Sequence, residues 1–329
     1  MYLKNKERIQ YLNLFKAILV IGMISGHAVM LLSSSKSQYS LYYKNYINLI
    51  TFSGFLFAFG IIHERIISCS KLNYAKFTSQ IFKLLTAFYI SGISYRILVK
   101  PANINLKKLI DIIILKDIPG YSEFLLAFAV IQVLGLLLYL LPEKLKKSIW
   151  LYLVLILISV LSTIFIKKGF RLSYPALIFG SNFFGAFPVL QYSAWFFAGI
   201  LYKWNRFKLN IYSFFVCLAL TCLYITYYIK AGHFAKRFPP SFFWITGSAF
   251  PLWVMLKGSL LAEQYRQKIP DFLFSFFNNI GENTLFYLII SNIALFALSS
   301  HLQLSFITAL LTGFVIVIVI HYLTGIVRK

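Results

Sequence analysis

Long apolar runs, separated by short polar and basic stretches, make up most of this chain of 329 residues. Because an α-helix rises 1.5 Å per residue, about 20 apolar residues cross the roughly 30 Å hydrocarbon core of a membrane. Runs of this kind predict ten spans, and the third is the weakest because Lys83 interrupts it. The predicted spans are 10–33, 45–62, 77–95, 122–141, 149–166, 186–202, 209–229, 241–258, 282–299 and 302–325.

The composition favours the same class of protein. Hydrophobic residues make up 60% of the chain, charged residues 12%, and the mean hydropathy is +0.77. These values exclude a soluble domain, a disordered chain and a collagen. The sequence predicts an all-α fold, a polytopic integral membrane helix bundle of about ten transmembrane helices, with residues 1–329 forming a single domain and no separate soluble domain.

Three segments outside the clear interior spans call for separate interpretation. The first run follows basic residues but lacks a small-residue cleavage site, so we expect a retained span and not a signal peptide. The longest connection, 96–121, is partly apolar and predicts an amphipathic helix along the membrane surface. The aromatic-rich stretch 172–185 predicts a re-entrant or interfacial segment.

The charge is strongly basic, with 32 Lys and Arg against nine Asp and Glu, a net charge of +23. Most of the bases lie between the apolar runs, which favours contact with lipid phosphates over nucleic-acid binding. With the N-terminus inside, eighteen bases fall on the cytoplasmic side and thirteen outside. The positive-inside rule therefore places both termini in the cytoplasm. The basic outer side fits generic lipid headgroups, and it also fits anionic glycans.

Cysteine and histidine spacing predicts no metal site. Cys69, Cys217 and Cys222 form no ligand cluster, and two of them lie within an apolar run. We interpret them as small packed or lipid-facing side chains.

Ionisable residues within the predicted spans are the candidates for chemistry, because burying a charge in lipid costs about 2.5 to 3.5 kcal/mol. They are Lys16, His27, Glu123, Glu282 and His321. Glu123 and Glu282 lie at span edges, where carboxylates commonly cap helix ends, and they are also candidates for binding an acceptor. We interpret His321 as a helix-contact residue.

Lys16 and His27 lie on one face of the first predicted helix. Eleven residues at 100° each bring them within about 20° of one another, and about 16 Å separates them along the axis. Lys16 is then near the cytoplasm, where it can hold an anionic donor, and His27 is near the outside, where it can deprotonate an acceptor. A lysine that snorkels to the headgroups and a histidine satisfied by a neighbouring helix would show the same spacing.

Five short motifs stand in a characteristic order along the chain. The first joins Arg8, Leu12, Asn13 and Lys16, and His27 follows after ten intervening residues. The others are Phe-Ser-Gly-Phe-Leu at 52–56, Lys-Leu-Leu-Thr-Ala-Phe at 83–88, Phe-Pro-Pro-Ser at 238–241 and Ile-Gly-Glu-Asn-Thr-Leu-Phe-Tyr-Leu at 280–288. Together they resemble the acyltransferase-3 family of integral membrane enzymes, over almost the whole chain.

The resemblance implies a transferase that moves an acyl group, usually acetyl, from cytoplasmic acetyl-CoA or another acyl-CoA to a hydroxyl of a cell-surface or lipid-linked glycan. Such a protein is expected in a bacterial inner or plasma membrane, with membrane lipid, the acyl-CoA, the glycan acceptor and polysaccharide-assembly proteins as partners. His27 would be the catalytic base. Lys16, Arg8, Lys83 and Arg65 would hold the CoA phosphates. Ser53, the Gly54 amide and Asn13 would supply oxyanion or structural support.

The chain departs from the family pattern at several of these positions. Asn13 replaces an aspartate, Lys16 an arginine, and Ser291 stands where many members have a histidine. Lysine keeps the positive charge but loses the bidentate fork that suits phosphate. Two alternatives therefore stay open: a multi-pass transporter in which Lys16 and His27 form a gate or proton relay, and a non-catalytic component of a polysaccharide assembly complex.

Overall fold

The computed structural model describes residues 10–34, 37–68, 72–101, 105–165, 171–181, 187–204 and 208–327. Within these residues the chain forms helices and connecting turns, with no β-strand, which confirms the all-helical fold class. The helices are α1 (Gln10–Leu32), α2 (Gln38–Ile67), α3 (Tyr74–Val99), α4 (Leu106–Ile113), α5 (Glu123–Leu140), α6 (Glu143–Lys146), α7 (Ile149–Phe165), α8 (Ser173–Phe179), α9 (Val189–Lys203), α10 (Ile211–Ala231), α11 (Phe242–Gly247), α12 (Ala249–Gln264), α13 (Asp271–Glu282), α14 (Thr284–Ser299) and α15 (Phe306–Val327).

Seven helical segments of the described chain are long and apolar enough to cross a membrane. They are α1, α2, α3, α5, α10, α15 and the consecutive pair α11 and α12. Helices α13 and α14 meet at an angle of 83°, and the count is eight if this bent pair is one span. The protein is therefore a multi-pass helical membrane protein. The prediction of ten spans is not confirmed, since α7 has 17 residues and α9 only 15.

Helix α1 lies at the centre of the bundle. It packs against α2, α12, α13, α14 and α15, and fourteen of its 23 residues are buried. Helices α10 and α15 lie at the periphery, with side chains such as Phe215 and Ile318 exposed at the depth of the apolar spans. The apolar residues therefore divide into a packed centre and a lipid-facing surface, as a membrane bundle requires.

Small residues allow a very close helix crossing between α2 and α9. A Cβ atom on Gly60 would lie 2.0 Å from the carbonyl oxygen of Phe196, and one on Gly199 would lie 2.1 Å from that of Phe57. The two backbones touch here because neither glycine has a side chain. Packing through small residues is a major source of helix association in lipid, where the hydrophobic effect between helices is weak.

Three shorter elements complete the fold. Helix α4 occupies the connection in which an amphipathic helix is predicted, with Ile112 buried and Ile113 exposed. Helix α8 lies in the aromatic-rich stretch 172–185, of which residues 182–185 are outside the described chain. Helix α13 has no counterpart among the predicted elements. Its amphipathic pattern, with Phe274 buried and Phe272 exposed, is too short for a span, and it bends into α14 at Asn283.

Candidate functional site

A cavity of about 190 Å³ with a mixed polar and apolar lining lies at the end of the bundle where α1 leads into α2 and where α5 begins. Its walls come from α1, the first half of α2, the start of α5 and the connections before α5, α9 and α11. The residues that give it its chemistry are His27, Asn48, Thr51, Tyr121, Glu123 and Arg237. Apolar side chains, among them Met23, Phe52, Phe55 and Phe187, form the rest of the wall.

His27 is buried in α1 and is held by a hydrogen bond between its Nδ1 and Oδ1 of Asn292, 3.0 Å apart. The amide nitrogen of Asn292 donates to the Tyr121 carbonyl oxygen at 3.2 Å and to Oγ of Ser91 at 3.0 Å. Because a carbonyl oxygen only accepts, Asn292 must present its NH2 to Tyr121 and its oxygen to His27. Nδ1 of His27 is then the protonated nitrogen, and Nε2, which makes no hydrogen bond within the described residues, carries a lone pair, as a general base requires.

Tyr121 forms one wall of the histidine site. Its ring lies edge-on to the imidazole, with the ring centroids 4.9 Å apart. Its backbone has φ of +66°, the left-handed region that a bulky side chain rarely adopts. Burial raises the pKa of its phenol well above the ordinary value, so that the hydroxyl stays protonated. The fold therefore stores backbone strain at the residue that touches both His27 and Asn292.

An ion pair anchors the loop that carries Tyr121. Nη2 of Arg96, near the end of α3, lies 2.5 Å from Oδ2 of Asp117. Oγ of Ser122 donates to the Pro119 carbonyl at 2.8 Å, which closes the turn before α5. These contacts tie the loop to α3 and α5, and so fix the position of Tyr121 relative to His27.

Arg237 and Glu123 place opposite charges at the same cavity. Arg237 is half-buried, and its guanidinium carbon lies 4.8 Å from the ring centroid of Phe187 and 4.7 Å from that of Phe238. Glu123 begins α5 and is 8% exposed. Nε of Arg237 and Oε2 of Glu123 are both buried and find no hydrogen-bond partner among the described residues. Aromatic rings hold the guanidinium in place without consuming its donors.

Lys16 lies on the same helix as His27 but belongs to a different cluster. The Glu282 carboxylate interacts with it electrostatically, and Oε1 of Glu282 accepts from Nδ2 of Asn278 at 3.0 Å. Oδ1 of Asn278 in turn accepts from Nδ2 of Asn13 at 2.9 Å. The structure thus brings Asn13, Lys16 and Glu282 together through α13, about 16 Å along α1 from His27.

The remaining predicted residues lie apart from the cavity. Arg65 and Lys83 are exposed on α2 and α3, and Arg8 lies outside the described residues. Ser53 and Gly54 are buried within α2 but do not line the cavity. A Cβ on Gly54 would lie 2.8 Å from side-chain atoms of both Leu19 and Leu252, so its place is in helix packing. The structure therefore brings Glu123 to His27 and leaves Ser53, Gly54 and Glu282 elsewhere.

Sequence reasoning missed Asn292, Tyr121 and Arg237. Asn292 is not ionisable and lies in none of the five motifs, although an asparagine in an apolar helix such as α14 is itself a sign of a polar contact. Arg237 was counted among the bases of the outer loops, and its position directly before the Phe-Pro-Pro-Ser motif was the available signal. Tyr121 had no sequence signal, because its φ and its ring contact arise only in the folded loop.

Comparison with known proteins identifies no relative. A scan against protein-family models, a search of curated proteins and a search of solved structures each give no match. The acyltransferase-3 resemblance therefore stays a prediction that rests on the motifs and their spacing. In the described residues no group of three or more His, Cys, Asp or Glu side chains is placed to hold a metal ion.

Proposed function

We propose that this protein is an O-acyltransferase that moves an acyl group, most simply acetyl, from acetyl-CoA to a hydroxyl of a cell-surface or lipid-linked glycan. The observation that carries the proposal is the His27 site. One imidazole nitrogen is occupied by Asn292, the other has a free lone pair, and a cavity with Arg237 and Glu123 adjoins the ring. A base oriented through its other nitrogen is the arrangement that activates a hydroxyl.

The proposed reaction moves one proton and one acyl group at this site. Nε2 of His27 takes the proton of the acceptor hydroxyl while the oxygen attacks the thioester carbonyl carbon. The new C–O bond forms as the C–S bond breaks, and His27 returns the proton to the departing thiolate. Asn292 keeps the ring in the required tautomer throughout, because its oxygen accepts from Nδ1–H in every step.

The proposed topology places the two substrates on opposite sides. Ten crossings result if the bent pair α13 and α14 and the shorter helices α7 and α9 each cross the membrane, which puts both termini in the cytoplasm of a bacterial inner or plasma membrane. His27 is then near the outer side and Lys16 near the inner side. An elongated donor entering from the cytoplasm would keep its phosphates near Lys16, Arg8, Arg65 and Lys83, with its acyl end toward His27.

The residues at the inner end fit an anionic donor only in part. Arg65 and Lys83 are exposed and accessible to phosphate, whereas Lys16 is largely buried and lies within the electrostatic influence of Glu282. A lysine binds phosphate as a point charge and not through a bidentate fork. We therefore assign Lys16 to orienting the donor and the exposed bases to attracting it.

Transfer of radiolabelled acetyl from acetyl-CoA to cell-envelope glycan, by the purified protein in lipid nanodiscs, tests the proposal. His27→Gln should lower the rate by about 10²- to 10⁴-fold, the usual share of a general base. His301→Gln is the matched control, because His301 is exposed and does not line the cavity. Full transfer by a folded His27→Gln variant would overturn the catalytic assignment. Absence of transfer by the wild type would favour the transporter or the non-catalytic component.

A further inference from the structure

Two residues that line the cavity beside His27 each carry a buried polar atom that no protein group within the described chain satisfies. Nε of Arg237 is a donor with a positive charge, and Oε2 of Glu123 is an acceptor. Leaving such atoms buried and unpaired costs about 1 to 3 kcal/mol each, and more for charged groups. Both residues line the cavity, so a ligand that enters it meets the guanidinium and the carboxyl group.

The ligand that complements this pair carries an anionic oxygen group beside hydroxyls. The guanidinium binds carboxylate or phosphate oxygens through charge-assisted hydrogen bonds, and the Glu123 carboxylate accepts from a hydroxyl. Arg237 and Glu123 form no ion pair within 4.0 Å in the described structure, so the guanidinium is not already saturated by its neighbour. The rings of Phe187 and Phe238 flank the guanidinium and hold it toward the cavity.

The charge of the surrounding surface points to the same ligand. In the proposed topology the outer side holds thirteen basic residues against three acids, Asp111, Asp117 and Glu123. Asp117 is already paired with Arg96. A positively charged surface draws anions toward the mouth of the cavity and repels cations. It would not attract a neutral sugar.

We propose that the acceptor is an anionic sugar, whose carboxylate or phosphate binds Arg237 so that a neighbouring hydroxyl faces Nε2 of His27. Arg237 is then the residue that selects the acceptor, and Glu123 orients it by accepting a hydrogen bond from a second hydroxyl. This inference rests on the proposed acyl transfer and names its acceptor class. Hydrogen bonding to a fixed guanidinium distinguishes an anionic sugar from a neutral one because the neutral sugar leaves the buried charge unpaired.

Two matched acceptors test the inference: a glucuronic-acid oligosaccharide and the same oligosaccharide with its carboxyls reduced to alcohols. The wild type should show a higher kcat/KM for the anionic acceptor than for the reduced one. Arg237→Gln should lower the ratio of these two kcat/KM values at least tenfold. Arg237→Lys keeps the charge but loses the planar fork, so its ratio should lie between those of the wild type and Arg237→Gln. Lys236→Gln is the control, because Lys236 is an exposed neighbouring base that does not line the cavity, and it should leave the ratio unchanged.

A glucose-phosphate acceptor is tested in the same way. Comparing its kcat/KM with that of the glucuronic-acid oligosaccharide shows whether Arg237 prefers phosphate or carboxylate. Equal kcat/KM for the charged and reduced oligosaccharides in the wild type would overturn the inference. An Arg237→Gln variant in which kcat/KM falls by the same factor for both oligosaccharides would also overturn it. That result would assign Arg237 to the carbonyl oxygen of the transferred acyl group.

A binding measurement separates this inference from the proposed reaction. Saturation-transfer NMR with the glucuronic-acid oligosaccharide reports binding even where no acyl group is transferred. Binding that weakens at least tenfold in Arg237→Gln supports the anion site, even if no acyl transfer is observed. Absence of transfer would then reject the proposed reaction alone. No binding to the wild type overturns the anion site whether or not acyl transfer is found.

Discussion

Asn292 decides the chemistry available to His27. A histidine in a membrane helix has two tautomers, and only a fixed partner selects one of them. The carbonyl of Tyr121 fixes the orientation of the Asn292 amide, and the amide fixes the proton on Nδ1. The chain of contacts runs from a backbone carbonyl through a side-chain amide to an imidazole, and each link has one allowed direction of donation.

Replacing Asn292 tests this dependence. Asn292→Ala should lower kcat by about tenfold to a hundredfold, because the ring loses the partner that orients it while His27 itself is kept. It should also lower the free energy of unfolding by about 1 to 3 kcal/mol, because Ser91 and the Tyr121 carbonyl lose a buried donor. Steady-state acetyl transfer and thermal unfolding in nanodiscs measure the two effects.

Ser291→Ala supplies the control for that experiment. Ser291 is equally buried on α14, but its hydroxyl donates to the Leu288 carbonyl of its own helix at 3.1 Å. We expect kcat to change less than twofold. An Asn292→Ala protein that is as active as Ser291→Ala would contradict the assignment of the tautomer.

The pair Lys16 and Glu282 gives a second expectation at the scale of residues. If Lys16 orients the anionic donor, Glu282 competes with the donor phosphates for the same charge. Glu282→Gln should then lower KM for acetyl-CoA about two- to fivefold, because removing the nearby negative charge ends an electrostatic competition of up to about 1 kcal/mol. Lys16→Gln should raise KM for acetyl-CoA. A change in KM for the glycan, with KM for acetyl-CoA unaltered, would instead return Glu282 to the acceptor site.

At the scale of elements, the crossing of α2 and α9 depends on two glycines in register. Gly60→Ala places a methyl group 2.0 Å from the Phe196 carbonyl oxygen, a distance that only movement of a whole helix can relieve. We expect the free energy of unfolding to fall by about 1 to 3 kcal/mol. Thermal unfolding of the purified protein provides the measurement.

Gly258→Ala is the matched control for the crossing. Gly258 lies in α12, and nothing lies within 4 Å of its Cβ position. Here alanine should leave stability unchanged or raise it by about 0.5 to 1 kcal/mol, because glycine is a poorer helix former. Equal destabilisation by both substitutions would show that the crossing is not as tight as the backbone contact indicates.

Most of the long helices were predictable, and the elements that were not show why. Helices α1, α3, α5 and α10 begin and end within about four residues of the predicted spans, because their apolar runs are bounded by polar residues. Helix α13 was missed because its amphipathic pattern of twelve residues is shorter than a span. It is nevertheless the element that brings Asn278 and Glu282 to Lys16.

At the scale of the whole molecule, the two clusters on α1 divide the protein into two ends. The His27 cavity is built from connections at one end, and the Lys16 cluster from α13 at the other. A hydroxyl acceptor and a CoA donor can approach one helix from opposite sides only if these ends lie on opposite sides of the membrane.

Thiol labelling tests that arrangement. In a protein with its three cysteines replaced by serine, Lys236→Cys should react with a membrane-impermeant maleimide in intact cells, because the proposed topology places its neighbour Arg237 and the cavity on the outer side. Lys147→Cys, with a side chain that is 58% exposed in the wild type, should react only after permeabilisation. The reverse pattern would invert the topology and place His27 on the cytoplasmic side.

The sequence by itself determined that this is a helical membrane protein, where its longest spans lie, and that Lys16 and His27 share a face of the first one. Those properties depend on hydrophobicity and on the helical repeat, which are local. Only the tertiary structure decided that Asn292 orients His27, that Arg237 and Glu123 open onto the same cavity, and that Glu282 belongs with Lys16. Contacts between residues as far apart as 27 and 292 depend on how helices pack, and no local periodicity encodes that.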